Sequence, residues 1–135
     1  MATSDVYQDK YFTMSFPTIT FKHTNVSPDY ALQDLVTRKL QALAKYLKGA
    51  RDVRVEVEIE RIQSHQHGPV CRMEVNVWRG DTLVRAEATE ETFEKVVDTV
   101  RRRLEHELER SHEKRTNIMR RSARRLKELM RWRSA

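Results

Sequence analysis

Four apolar residues at alternate positions, Val53, Val55, Val57 and Ile59, are interleaved with Arg54, Glu56, Glu58 and Glu60. A period of two sends successive side chains to opposite faces of a strand, so this segment buries one face and leaves the other in water. The remaining elements must therefore cover one side of a sheet. After a polar loop, Gln63 to Pro69, the alternation returns at Cys71, Met73, Val75 and Val77. Arg79-Gly80-Asp81 predicts a tight reversal, and Leu83 to Ala88 a short last strand with Val84, Ala86 and Ala88 on one side. Upstream, Ile19 and Phe21 alternate with Thr18, Thr20 and Lys22, which predicts a strand within Phe16 to His23.

Two stretches change to helical spacing. Leu32, Leu35, Val36, Leu40, Leu43 and Leu47 recur at steps of three and four, predicting a helix opened by Ser27-Pro28-Asp29 and running to about Lys48, where Gly49 stops it. Phe93, Val96, Val97, Val100, Leu104 and Leu108 form a second stripe, behind Thr89 and the acidic pair Glu90 and Glu91 as its opening. The fold class is α+β in the order β-α-β-β-β-α, a four-stranded sheet with two helices packed on one face and a long C-terminal helical extension.

Helix length divides the chain. About 20 helical residues span the ~30 Å of such a sheet, so Glu90 to Glu109 already fills it. No apolar residue lies between Leu108 and Ile118, after which a smaller stripe appears at Ile118, Met119, Ala123, Leu126 and Met130. The expected organisation is a loose arm over 1–15, with Met14 as an alternative start, an α/β domain over 16–110, and a basic helical extension over 111–135 that projects or folds back and orders on a partner.

Charge follows the same division. Arg110 to Ala135 holds ten Lys or Arg against two Glu, whereas the preceding residues balance sixteen bases against eighteen acids, so the net +6 is made by the C-terminal segment. A segregated basic block is the footprint of a polyanion, because each phosphate neutralised releases condensed counterions. Within it, Arg120-Arg121 and Arg124-Arg125 repeat on consecutive turns. Sorted by the 100° helical step, Arg38, Lys45 and Lys48 face away from the core of the first helix, with Lys39 and Tyr46 at its margin. Arg103, His106, Arg110 and Lys114 line one flank of the second helix, and Glu94, Asp98, Glu105 and Glu109 gather on the other side. Two helices side by side leave a groove, and these cations are expected to border it and track a phosphate backbone.

Other chemistry finds little footing. There is no Gly-rich phosphate loop, nucleophile motif or isolated carboxylate pair, so an enzyme, a cofactor and a small-molecule substrate are not expected. His65, His67 and Cys71 form an H-x-H-x3-C cluster, read as loop histidines beside a core cysteine because no second Cys completes a metal site. No apolar run reaches the ~18 residues of a membrane span, and no secretory h-region is present, which points to the cytoplasm and away from a membrane partner. Three occupants of the basic surface stay open: structured RNA, a protein docked on the tail, and an anionic surface.

Two stretches carry a family resemblance. Ile19-Thr20-Phe21-Lys22-His23-Thr24-Asn25-Val26-Ser27-Pro28, leading to Arg38-Lys39-Leu40 and Lys45-Tyr46, and Leu83-Val84-Arg85-Ala86-Glu87-Ala88, followed by Phe93, Asp98, Arg103-Leu104-Glu105 and Leu108, resemble the ribosome hibernation-promoting factor and ribosome-associated inhibitor A family. The resemblance spans about Thr18 to Lys114 and corresponds to the short form, which lacks the C-terminal domain that pairs ribosomes. It implies a protein that binds the small ribosomal subunit and its ribosomal RNA at the decoding region, blocks messenger and transfer RNA, and protects idle ribosomes. Lys22, Lys39, Lys45, Arg103 and Arg110 fall where the family places basic residues, whereas Phe21 replaces a common Gly, and His106 and Glu107 replace a usual Arg and Gln. A general double-stranded RNA-binding module and a protein-docking adaptor are the alternative functions.

Overall fold

The computed structural model describes residues 16–133 except 65 and 67; the arm over 1–15 and the histidines His65 and His67 lie outside the described residues. The elements are β1 (Ile19–Thr24), α1 (Tyr30–Gln41), a 3-10 turn (Ala44–Leu47), β2 (Val53–Ser64), β3 (Gly68–Arg79), β4 (Thr82–Glu90) and α2 (Phe93–Arg133). The sheet runs in the order β1-β2-β3-β4. β1 lies parallel to β2, which the α1 crossover permits, and the hairpin partners are antiparallel. This is the expected β-α-β-β-β-α order.

Register turns the alternation into a two-faced sheet. Phe21, Val57, Val75 and Ala86 stand side by side across the four strands, and the residues of this parity meet Val36, Leu40, Val97, Val100 and Leu104 in the core. The other parity faces water and carries a row of three carboxylates directly opposite one another, Glu58, Glu74 and Glu87. Like charges in that arrangement repel, and Arg72 holds them together. Its guanidinium reaches Glu87 at 2.9 Å, Glu60 at 3.1 Å and Glu74 at 2.6 Å, and Arg85 adds bonds of 2.9 Å to Glu74 and 3.1 Å to Glu87.

Several boundaries differ from the sequence expectation, each for a local reason. The first helix is capped by Asp29 rather than Ser27, because Asp29 Oδ1 accepts from the Ala31 N–H at 2.9 Å and places Pro28 before the cap. The α-helix ends at Gln41 rather than near Lys48. Leu43 and Tyr46 then bond three residues back, to Leu40 and Leu43, and this tighter turn still buries Leu43 and Leu47. Gly49 follows with φ +75°, which a glycine adopts without strain. The loop expected over Gln63 to Pro69 is shorter, since the ladder continues to the Ser64–Gly68 pair.

Thr89 does not open the second helix, because Thr89 and Glu90 are still paired with Arg72 and Cys71. Thr92 caps it instead: its Oγ1 accepts from Lys95 N at 3.2 Å and its carbonyl from Val96 N at 3.1 Å. Thr92→Ala should lower unfolding free energy by about 1 kcal/mol in urea denaturation, the usual cost of losing a cap; an unchanged midpoint would show that α2 needs no cap there.

The decisive feature is the length of α2. It runs 41 residues without a break, about 61 Å at ~1.5 Å per residue, and passes residue 110 as one helix. Leu108 is its last buried residue, and every residue from Asn117 to Arg133 is exposed. The extension therefore projects past the end of the sheet instead of folding back.

Candidate nucleic-acid interface

The helices meet through opposite charges. Lys39 pairs with Asp98 at 3.1 Å, Tyr46 donates to Glu105 at 3.3 Å, and Arg101 bonds Glu105 at 3.0 Å. The acidic flank of α2 thus faces α1. Its basic flank lies on the far side, where Arg103 donates to the Glu87 carbonyl of edge strand β4 at 2.6 Å. The expected cationic groove between the helices is corrected accordingly: packing the Val96–Leu108 stripe onto the sheet fixes the rotation of α2, and that rotation turns Arg103, Arg110 and Lys114 toward β4.

The other expected cations divide by element. Lys22 stands opposite Glu58 on the outer face of the sheet, so it does not border the helices. Arg38 is engaged by Asp34 at 3.0 Å one turn earlier. Lys45, over the Tyr46 ring at 5.1 Å, and Lys48 both line an open hollow of about 690 Å³ beside the start of β1 and β2. Arg110 and Lys114 line a second, of about 570 Å³, between α2 and β4 with Arg85, Glu107 and Glu113 in its wall.

A third hollow, of about 460 Å³, joins these two. It shares Gly49 and Ala50 with the first and Thr82 with the second, and its charged walls are Arg51, Asp52, Arg79 and Arg115. The cations consequently assemble as a belt across one end of the sheet, from Lys45 and Lys48 through Arg51, Arg79 and Arg115 to Arg110 and Lys114. The sequence reading overlooked the central three. One signal was available, since Arg79 continues the inward parity of Cys71, Met73, Val75 and Val77, where a cation is out of place.

Arg79 is the one buried charged residue among the described residues, at 7% exposure. Nη1 donates to the Tyr46 carbonyl at 3.4 Å, Nη2 to Ser111 Oγ, and Nε has no partner. Burial, with the Arg115 charge added, holds this guanidinium below its ordinary pKa.

From the belt the basic flank continues along the projecting helix. At 100° per residue, Arg103, Arg110, Lys114, Arg121 and Arg124 fall in one sector, an edge of about 32 Å that ends before Glu128, with Glu107 near its margin and bonded to Arg110 at 3.5 Å. Arg121, Arg124 and Arg125 line a shallow hollow there with Ile118 and Glu128. Arg120 lies outside it, rotated 100° from Arg121 by the step of one residue, so only the second of the two arginine pairs lines the hollow as a pair. Ile118, Leu126 and Leu129 continue the direction of the core stripe into solvent, and Met119, Met130 and Trp132 are exposed as well.

Among the described residues no group of three His, Cys, Asp or Glu side chains could hold a metal ion, and no helix is long and apolar enough to cross a membrane. Cys71 is buried, its thiol pKa raised by that burial.

Comparison with known proteins assigns the domain. A family model described as "Sigma 54 modulation protein / S30EA ribosomal protein" matches residues 18–116. The chain belongs to this family. The S30EA match coincides with the stretch, Thr18 to Lys114, that carried the resemblance to hibernation factors, and the whole belt lies within it. Among solved structures, a ribosomal subunit interface protein from Coxiella burnetii superposes with TM-score 0.54 at 20% identity, covering 69% of this chain and 94% of that one. The N-terminal domain of Thermus thermophilus Protein Y gives 0.57 at 23% identity, covering 70% and 98%. Both show that the S30EA fold is shared. No curated protein sequence gives a significant match.

Proposed function

We propose that this S30EA-family chain is a ribosome hibernation factor that binds the small ribosomal subunit at the decoding region, excludes messenger and transfer RNA, and performs no chemistry there. The observation that carries the reading is the placement of the cationic belt inside the family-matched segment, contiguous with the basic edge of α2. A rigid helix flanked by guanidinium and ammonium groups contacts phosphates without reading bases, which suits a folded ribosomal RNA whose shape is fixed. The name of the Coxiella relative, a ribosomal subunit interface protein, agrees with such a location.

Sedimentation with purified small subunits tests this. The protein should travel with the subunit at low ionic strength, remain there when excess free duplex RNA is added, and be displaced by messenger RNA with transfer RNA. Transfer to the duplex RNA would favour the general RNA-binding module, and retention at the top of the gradient would remove the ribosome from the account. An adaptor function has one observation in its favour, the exposed Ile118, Leu126, Leu129 and Trp132. It predicts an affinity that scarcely changes with salt, whereas phosphate contacts weaken steeply.

A further inference from the structure

We propose that the hollow walled by Arg51, Arg79 and Arg115 is a binding site for a single phosphate group. Arg79 enters this hollow from β3 as a buried guanidinium with an unpartnered Nε, and no carboxylate pairs with it among the described residues. A buried cation without a counter-charge is destabilising, and Arg115 close by adds like-charge repulsion. Every other inward side chain of that parity on β3, from Cys71 to Val77, is apolar and would be the cheaper choice at this end too. The arrangement is relieved if an anion occupies the space between the arginines.

The walls define that anion. Three guanidinium groups stand against one carboxylate, Asp52, whose backbone carbonyl is engaged by Gly80 N at 3.4 Å. A net charge of about +2 matches a phosphate monoester dianion, and it leaves one positive charge over for a diester. Guanidinium forks from β3, α2 and the turn before β2 surround the space from separate elements, a geometry suited to a tetrahedral oxyanion with several acceptor atoms rather than to a planar carboxylate. A hollow of about 460 Å³ has room for the group and its water, and it opens on both sides into the remainder of the belt. Two sources present this chemistry: the diester of a bound RNA backbone, for which the inference rests on the function proposed above, and a free phosphate monoester.

Thermal unfolding of the full chain in inorganic phosphate, balanced against chloride at constant ionic strength and neutral pH, reads the site directly. Ligand that binds only the folded state raises the midpoint, by about 3 °C near saturation. Arg51→Gln with Arg115→Gln should remove that rise without unfolding the domain, since both side chains are exposed. An equal rise in both proteins would mean general salt stabilisation and would overturn the site.

Two further arms separate the sources. A roughly tenfold loss of small-subunit affinity in the double variant identifies an RNA diester, at the strength of one charge-assisted contact. Unchanged affinity, together with an Arg51- and Arg115-dependent rise in a nucleoside monophosphate, identifies a free monoester. Should the phosphate effect depend on these arginines in a protein that never joins the ribosome, the site stands and the proposed function falls.

Discussion

Arg110→Glu, Lys114→Glu and Arg121→Glu together are expected to lower small-subunit affinity about 100-fold and to flatten the dependence of log K on log salt by about 2 to 3. The three side chains lie on one edge of α2, all exposed, so their reversal removes no core contact and melting should stay within about 2 °C. Arg102→Glu, Arg120→Glu and Lys127→Glu make a matched control. They change the net charge by the same amount on the same helix, but the 100° step places them on its back. Long-range attraction suffers equally in both proteins, whereas direct phosphate contacts are lost in one. The control should therefore lose less than tenfold. Equal losses would show that binding follows overall charge, and the edge would cease to be an interface.

The edge also marks where sequence reasoning ran out. Element order and inward parity were legible, because alternation at Val53–Ile59 and helical spacing at Phe93–Leu108 are properties of the chain itself. Charge sectors on each helix were legible for the same reason. How one sector faces another was not. Whether Asp98 or Arg103 looks toward α1 depends on the side of the α2 stripe on which α1 docks, and no residue spacing encodes that choice. The Lys39–Asp98 and Tyr46–Glu105 contacts decide it, and they move the cations from a groove between helices to a belt around the sheet end. Arg79 was missed through a different route. Outward charges are sought on exposed faces, whereas this one sits at the last inward position of a strand, where β3 runs out beneath Ser111 and the core gives way to the belt. Helix caps shifted by two or three residues because Ser27, Asp29, Thr89 and Thr92 all satisfy the local rule; the Ala31 hydrogen bond selects Asp29, and ladder pairing of Thr89 leaves Thr92 as the second cap.

The outer face of the sheet, opposite the helices, makes the second large prediction. Arg72→Met should destabilise the fold by about 3 kcal/mol at pH 7, because removing one partner of a half-buried charge cluster leaves the others uncompensated. Glu74 and Glu87 stand opposite each other there, and Glu58 and Glu60 approach from β2 at 3.8 Å and 3.1 Å from the same guanidinium. In the native protein both central carboxyls titrate below their ordinary range. Burial pushes Glu74 up, but Asn76, Arg85 and Arg72 outweigh it, while for Glu87 the Arg72 hydrogen bond dominates. Depressed carboxyl pKa values stabilise the fold above the unfolded value near ~4.3, and that contribution fades as pH falls through the folded ones. Without Arg72 that contribution shrinks, because Glu87 loses its dominant hydrogen bond while Asn76 and Arg85 still hold Glu74. The variant therefore has less stability to lose than the native protein as the solution is acidified from pH 7 toward 4. Urea unfolding at pH 7 and pH 4 should show the gap between native and variant proteins shrinking to about 1 kcal/mol. A gap of the same size at both pH values would assign the loss to the packing of the arginine stem and not to its charge.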